Sequence, residues 1–297
     1  MLKIVSIALL LISVATLTCG QSTHFTTYND LAYVEDDVNK GDSLQRLNLV
    51  VPNEVKGAPL LIWIGGGAWS YGDRNQEMAL AGKLAESGIA VASVGHRLSP
   101  ATWRDPALST GVEHPQHVLD VASAVKWLYH HAEAYGYDTA SFFIGGYSSG
   151  AHLATLISLD NRYLESAGLP FPLFKGIIPI SGTYDIEHYH QVLANGNQPE
   201  LAKLHVEAVF GSDTSGFIAA SPTSYLHNLG VPMLVICDNS LYVYTQHFED
   251  KIRETDFRQM QVVYTYHLSH GGLWKHLSFD EKSIYRALMV DFININR

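Results

Sequence analysis

Short apolar runs alternate along the chain with longer segments in which apolar residues recur at helical spacing. The runs predict strands near 60–64, 89–94, 141–145, 176–181, 232–237 and 260–266. Helical patterns lie near 74–87, 114–134, 149–160, 243–256 and 278–295. Strands that are apolar throughout and alternate with helices are typical of a parallel sheet covered on both faces. The pattern therefore predicts an α/β fold.

A single domain accounts for this alternation. The chain has 297 residues, which is ample for one α/β core. Residues 184–230 interrupt the alternation with a long mixed segment, for which we predict part of a lid over the site described next. No repeat or low-complexity tract marks a second domain, so we assign residues 21–297 to one domain.

The most informative stretch in the middle of the chain is Gly146-Tyr147-Ser148-Ser149-Gly150, which stands between a predicted strand and a predicted helix. G-x-S-x-G in this setting is the pattern of a nucleophile elbow. Small residues two positions either side let the turn be sharp enough to lift the Ser148 hydroxyl clear of the sheet. The start of a helix behind the serine favours negative charge. Ser148 is therefore our candidate nucleophile.

A second glycine-rich turn, Gly65-Gly66-Gly67, follows the apolar strand at 59–64. Acyl transfer passes through an oxyanion, which is stabilised by backbone N–H groups fixed around it in advance. Glycine lets the main chain approach a substrate closely. We therefore predict an oxyanion hole made by the amides of Gly66, Gly67 and Ser149.

Several segments together resemble the α/β-hydrolase superfamily, in particular its serine esterases: hormone-sensitive-lipase-like carboxylesterases, feruloyl and acetylxylan esterases, and arylformamidases. The resemblance covers about residues 40–296. Besides the two glycine turns, it rests on the segments Asp42–Pro52, Trp69–Asp73, His96–Pro100, His114–Leu128 and Ser181–Asp185. It implies the α/β-hydrolase fold, with a mostly parallel central sheet, helices on both faces and a small lid insertion. Gly65 is a departure, because the family usually has a histidine there that is thought to brace the glycine loop.

In this fold the catalytic acid and then the catalytic histidine follow the serine along the chain. Among the 15 histidines, the resemblance favours one that follows the last strand. His270, in a predicted loop beside Gly271 and Gly272, is our choice, with His267 and then His276 as alternatives. The histidine removes the proton from the serine hydroxyl and later returns it to the leaving group.

Asp238 is the candidate acid, because it directly follows the apolar strand at 231–237 and precedes His270 by one predicted helix and one strand. Many relatives place the acid two to four residues later, where this chain has Asn239, Ser240 and Leu241. Asp238 is also a plausible turn or helix-capping residue. Glu249 and Asp250 lie within the next predicted helix and are expected to face solvent. A degraded triad is the alternative.

Charge and further motifs narrow the possible partners. The formal charge of −10 argues against nucleic-acid binding and against anionic membranes. No dinucleotide fingerprint or P-loop is present, and no histidine motif has the spacing of a metal site, so we expect no cofactor and no metal. His188 and His190 form an H-x-H pair that would bind a metal ion only adventitiously.

The N-terminus predicts export. Lys3 precedes an apolar stretch at 4–16 that is too short to span a bilayer comfortably, and small residues precede Gln21. We predict a signal peptide of residues 1–20 and a secreted or periplasmic protein. Lipidation at Cys19 and an uncleaved anchor are the alternatives. Removal of the signal would leave Cys237 as the only cysteine and exclude an internal disulfide.

The combined prediction is a serine hydrolase that cleaves carboxylic esters with short or mid-sized acyl groups, free or linked to a polymer. An arylformamidase-like amide hydrolase uses the same machinery and remains open. A catalytically weak homologue used for binding is the further alternative, because Gly65 replaces the usual histidine and many relatives place the acid a few residues after Asp238.

Overall fold

The computed structural model describes residues 24–34, 43–197 and 199–297. The predicted signal peptide at 1–20, including Cys19, lies outside the described residues.

Eight strands form the sheet of the described part. They are β1 (Phe25–Ala32), β2 (Arg46–Pro52), β3 (Ala58–Ile64), β4 (Ala90–Val94), β5 (Tyr137–Tyr147), β6 (Gly176–Ile180), β7 (Met233–Asp238) and β8 (Met260–Thr265). Their spatial order is β1-β2-β4-β3-β5-β6-β7-β8. β2 pairs antiparallel with β1 and β4, and every other pairing is parallel. The predicted mostly parallel sheet is confirmed.

Helices cover the sheet on both sides. They are α1 (Met78–Ala85), α2 (Gln116–Tyr135), α3 (Ser149–Leu159), α4 (Asn161–Ser166), α5 (Ile186–Ala194), α6 (Ala208–Phe210), α7 (Thr214–Ala220), α8 (Tyr242–Arg253), α9 (His270–Phe279) and α10 (Ile284–Asn296). Short 3-10 helices span Arg74–Glu77 and Pro222–Asn228, and a π-helical turn spans Ala202–Glu207.

The side chains of strand β3 show why helices pack on both faces of the sheet. Its side chains point alternately to opposite faces. Leu60, Ile62 and Ile64 pack in the core that contains α2 and α3, whereas Leu61 and Trp63 pack in the core that contains α1, α9 and α10. A strand that is apolar at every position is thus buried from both sides.

The structure corrects two element predictions. The helix predicted over 278–295 is two helices, because the chain is extended at Asp280 and Ser283 between α9 and α10. His270 was predicted to lie in a loop, but it is the first residue of α9. Gly271 and Gly272 have low helix propensity; the helix begins nevertheless, because the Ser269 hydroxyl caps it by accepting a bond from the Gly272 amide at 3.2 Å.

β1 was not predicted. Its sequence, FTTYNDLA, is polar and its middle residues are exposed, so it lacks the apolar pattern that predicted six of the other strands. The remaining strand, β2, lies in the segment Asp42–Pro52, which was recognised by its resemblance to the family. It forms because it pairs with β2 at the edge of the sheet.

Candidate active site

The elbow around Ser148 depends on the two glycines of its motif. A Cβ atom at Gly146 would lie 2.5 Å from the Gly150 backbone, and one at Gly150 would lie 2.0 Å from the Ile64 carbonyl oxygen. Only hydrogen fits at these positions, because β3, β5 and α3 meet there. Ser148 itself has φ 55° and ψ −120°, a strained conformation of the kind that concentrates at functional sites. Its side chain is half-buried at the C-terminal end of β5.

The glycine loop lies directly beside this serine. The parallel register pairs Ile64 of β3 with Gly146 of β5, so both strands end at the same edge of the sheet. A Cβ at Gly66 would lie 3.1 Å from the Ser148 Cβ. Gly67 has φ +143°, and its carbonyl accepts bonds from the Ser70 and Tyr71 amides at 2.8 and 3.0 Å. These backbone bonds fix the shape of the loop beside the elbow.

The amides predicted for the oxyanion hole are available as donors. Within the described part of the chain, the N–H groups of Gly66 and Gly67 donate to no protein acceptor. Ser149 is the first residue of α3, and the amides of a helix's first turn have no acceptor within the helix. Ser149 is itself buried. Three unpaired donors therefore belong to the elbow and to the glycine loop beside it.

The structure brings Asp238 and His270 together. Nδ1 of His270 lies 2.7 Å from Oδ2 of Asp238. The other carboxylate oxygen, Oδ1, accepts bonds from the amides of Ser240 and Leu241 at 2.7 and 3.2 Å. The Asp238 side chain is fully buried, whereas the His270 side chain is 36% exposed. A buried acid thus orients an imidazole that still reaches solvent.

Hydrogen bonding determines the charge of Asp238. Burial alone would raise the pKa of this carboxyl group, but bonds from His270, Ser181 and the Ser240 amide outweigh burial and lower the pKa below its ordinary value of 3.8. Asp238 is therefore a carboxylate at neutral pH, as a group that stabilises an imidazolium must be.

The alternative histidines and acids do not make this contact. His267 is exposed. His276 lies 2.9 Å from the Ser283 hydroxyl and 3.5 Å from Asp280, within its own helix and the turn after it. Glu249 was expected to face solvent, but it is half-buried, because Tyr264 and Arg253 both donate to it.

Tyr147 joins the elbow to the histidine, and sequence reasoning missed it. Its hydroxyl donates to the His270 carbonyl at 2.5 Å, and the two rings are 5.0 Å apart. Because Tyr147 directly precedes Ser148, the strand that carries the serine holds the first residue of α9. In the sequence, the only indication of this contact was the aromatic residue at the first x position of G-x-S-x-G.

A second contact that sequence reasoning missed braces the glycine loop. The Trp69 indole N–H donates to Nδ1 of His152 at 3.1 Å, and Nε2 of His152 lies 2.8 Å from the Ala220 carbonyl. Burial lowers the pKa of His152 to about 3, so the ring is neutral and bonds as both acceptor and donor. Phe210 packs edge-on against Trp69 at 5.0 Å. The insertion at 184–230 thus packs against Trp69 and His152, next to the loop.

The H-x-H pair at His188 and His190 contacts other side chains of the protein. His188 stacks on His247 at 4.0 Å, and His190 pairs with Glu207 at 3.0 Å. Across residues 24–34, 43–197 and 199–297, no three His, Cys, Asp or Glu side chains are grouped as a metal site requires. Cys237 is a free, buried thiol, and burial raises its pKa to about 12. None of the helices in these ranges is both long and apolar enough to cross a bilayer.

The mostly parallel sheet, the serine at a strand-to-helix turn and the acid and histidine after later strands together define an α/β-hydrolase fold. Esterase B from Lactobacillus Rhamnosis has the same fold, with a TM-score of 0.73 and 21% identity over 92% of this chain and 86% of that one.

Sequence comparison identifies the family. The BD-FAE family model matches residues 47–240, so the chain belongs to the BD-FAE family of α/β-hydrolase esterases. Esterase LipQ of Mycobacterium tuberculosis is 31% identical over 60% of this chain and 41% of its own length. Kynurenine formamidase of Danio rerio is 25% identical over 59% of this chain and 53% of its own. The matched region thus spans about half or less of these relatives.

Proposed function

We propose that the protein is a serine hydrolase that cleaves carboxylic esters through an acyl-enzyme. The observation that carries the proposal is the 2.7 Å contact between Asp238 and His270, in a fold that holds Ser148 at a strained elbow against the glycine loop. Names of relatives such as esterase LipQ support ester chemistry.

In the proposed reaction, the Ser148 hydroxyl attacks the acyl carbon while Nε2 of His270 takes its proton. Asp238 holds the imidazole by Nδ1 and stabilises its charged form. The amides of Gly66, Gly67 and Ser149 donate to the oxyanion of the tetrahedral intermediate; one such donor is worth about 2.7–4 kcal/mol of barrier. His270 then protonates the leaving alcohol. In the second half of the reaction, water attacks the acyl carbon while His270 takes its proton, and His270 returns the proton to the Ser148 oxygen as the carboxylic acid leaves.

A fluorophosphonate probe and p-nitrophenyl acetate test this assignment. We expect the probe to modify Ser148, identified by mass spectrometry of the labelled peptide, and Ser148→Ala to abolish both labelling and turnover. His270→Ala should lose turnover by orders of magnitude, whereas the matched control His267→Ala, three residues away and exposed, should keep it. A wild-type protein that stays unlabelled would favour a binding role without catalysis.

Amide hydrolysis is the second candidate, and the similarity to a kynurenine formamidase supports it. Elbow, oxyanion donors and histidine serve both reactions. Parallel assays with p-nitrophenyl acetate and N-formylkynurenine separate them, because activity on the second substrate alone would overturn the ester preference. The predicted small or mid-sized acyl group is tested in the same way with a series of p-nitrophenyl esters.

We propose in addition that the protein is exported. The short apolar stretch after Lys3 and the small residues before Gln21 support this location. If cleavage follows Gly20, the mass of the protein purified from the secreted or periplasmic fraction should be that of a chain that begins at Gln21. A mature chain that retains Cys19 with added lipid would indicate an anchored protein instead.

A further inference from the structure

A buried carboxylate outside the proposed triad links two parts of the site. Glu77 is only 4% exposed, at the end of the 3-10 helix that follows the glycine loop. Its Oε2 accepts the Trp63 indole N–H at 2.8 Å, and its Oε1 accepts the Trp274 indole N–H at 3.1 Å. Both oxygens are therefore used, each by a different tryptophan.

The two tryptophans belong to the two elements that the proposed chemistry must align. Trp63 lies in β3, two residues before Gly65, so it stands at the base of the glycine loop. Trp274 lies in α9, four residues after His270, so it projects from the same side of that helix as the histidine.

Glu77 also touches the loop itself. A Cβ at Gly65 would lie 3.1 Å from both Cγ and Oε1 of Glu77. The carboxyl group thus packs directly against the first residue of the loop, in the space that a side chain at position 65 would need.

This carboxylate does not serve stability well. Burial raises the pKa of Glu77 above its ordinary value, which the bonds from Trp63 and Trp274 only partly offset, and nearby Asp73 adds to the increase. Burying an acid costs free energy that its hydrogen bonds must offset. A role in alignment explains its presence better than a role in stability.

We propose that Glu77 is a positioning residue. By accepting hydrogen bonds from both Trp63 and Trp274, it fixes α9, and therefore His270, relative to the glycine loop. The proposal deepens the proposed function and rests on it. Without the carboxylate, α9 keeps the Tyr147 and Asp238 contacts and the apolar packing of Leu273 and Leu277, but it loses the hydrogen bond that ties it to the element bearing the glycine loop.

Glu77→Gln and Trp274→Phe test the proposal, with Trp127→Phe as the matched control. Glutamine keeps one acceptor oxygen but faces the second indole with an N–H₂ group, so one bond is lost. Trp274→Phe removes the bond to α9 and keeps an aromatic ring at this position, where the indole packs edge-on against Phe279. Trp127 is also half-buried, but it stacks on His131 of α2, on a helix that carries no proposed site residue.

Both test variants should lower kcat for p-nitrophenyl acetate by about 10- to 100-fold, the range expected for a misplacement of up to 1 Å, with KM within about twofold. Trp127→Phe should leave kcat unchanged. Because Glu77→Gln leaves a buried indole N–H without its acceptor, some loss of stability is expected, and thermal unfolding must show that both variants are folded at the assay temperature. A kcat within twofold of wild type in folded Trp274→Phe, or a loss confined to KM, would overturn the proposal.

Proton NMR of the resting protein separates this proposal from the proposed function, because it needs no substrate. The Nδ1–H of His270, bound to Asp238, should give a downfield resonance that disappears in His270→Ala. We expect Glu77→Gln and Trp274→Phe to broaden or shift it. An unchanged resonance in both would refute positioning by Glu77 even if the esterase activity is real. Full activity of Ser148→Ala would refute the proposed function and leave the NMR result standing.

Discussion

Gly150→Ala tests whether close packing of α3 on β3 is what holds the elbow. The added Cβ would lie 2.0 Å from the Ile64 carbonyl oxygen and 2.6 Å from the Gly65 carbonyl oxygen. A carbon and a carbonyl oxygen ordinarily approach to about 3.3–3.6 Å. Because both partners are backbone atoms, no side-chain rotation relieves the overlap, and α3 must move away from β3 by about 1 Å.

That displacement should be visible in stability and in rate. Overpacking a core costs about 1–3 kcal/mol, and a backbone contact this short belongs at the upper end. For a domain of this size about 3 kcal/mol lowers Tm by about 6–12 °C. Moving the Ser149 amide and Ser148 by about 1 Å should also lower turnover of p-nitrophenyl acetate by about 100-fold.

Gly271→Ala is the matched control for stability. Gly271 is likewise the second residue of a helix, and a Cβ there would meet nothing within 4 Å. We expect its Tm to stay unchanged or to rise slightly, since alanine is favoured over glycine in helices by about 0.5–1 kcal/mol. Our reasoning would be refuted if Gly150→Ala melted within about 2 °C of wild type and kept full turnover.

Three further predictions concern charged and titratable groups. Asp238→Asn should lower kcat by about 10⁴-fold, because the imidazole loses its orienting anion; a loss below tenfold would assign the acid elsewhere. The pKa of His152 is about 3 in the folded protein and 6.5 in the unfolded chain, so its contribution to stability falls by about 1.4 kcal/mol per pH unit as pH drops between those values. In urea unfolding, the stability advantage of wild type over His152→Gln should therefore shrink from about pH 6.5 towards about pH 4; a constant difference would contradict the argument. For Asp185, burial alone would raise the pKa, but bonds from the His188 amide, His247 and Thr223 lower it below 3.8. Asp185→Asn should thus destabilise the protein by about 1.5 kcal/mol at neutral pH, with the difference vanishing as pH falls below the folded pKa, and a destabilisation that persists there would exclude ionisation as its cause.

Part of the fold was readable from local pattern alone. All six predicted strands are present. β3, β4, β6 and β7 are buried at every position, as strands covered on both faces are, whereas β8, at the edge of the sheet, is mostly half-exposed. β1 escaped prediction because its stability comes from pairing with β2, a contact between segments that no local pattern encodes.

The candidate site also has parts that could be predicted from the sequence and parts that could not. The turn around Ser148 and the loop at Gly65–Gly67 were predictable, because glycine at fixed spacing reports a backbone constraint that is local. The hydrogen bond between Asp238 and His270 joins residues 32 positions apart, and sequence spacing allowed His267 as well. The fold decided between them, because Ser269 starts α9 at His270 and so directs that imidazole to the end of β7.

The sequence by itself determined the strand-to-helix turn, the glycine loop and the alternation of elements, since all three follow from the steric and apolar character of neighbouring residues. Only the tertiary structure decided which histidine meets Asp238, that Tyr147 holds the start of α9, and that Glu77 lies between Trp63 and Trp274. Those contacts join side chains that are far apart along the chain, and their geometry exists only once the sheet brings the strand ends to one edge.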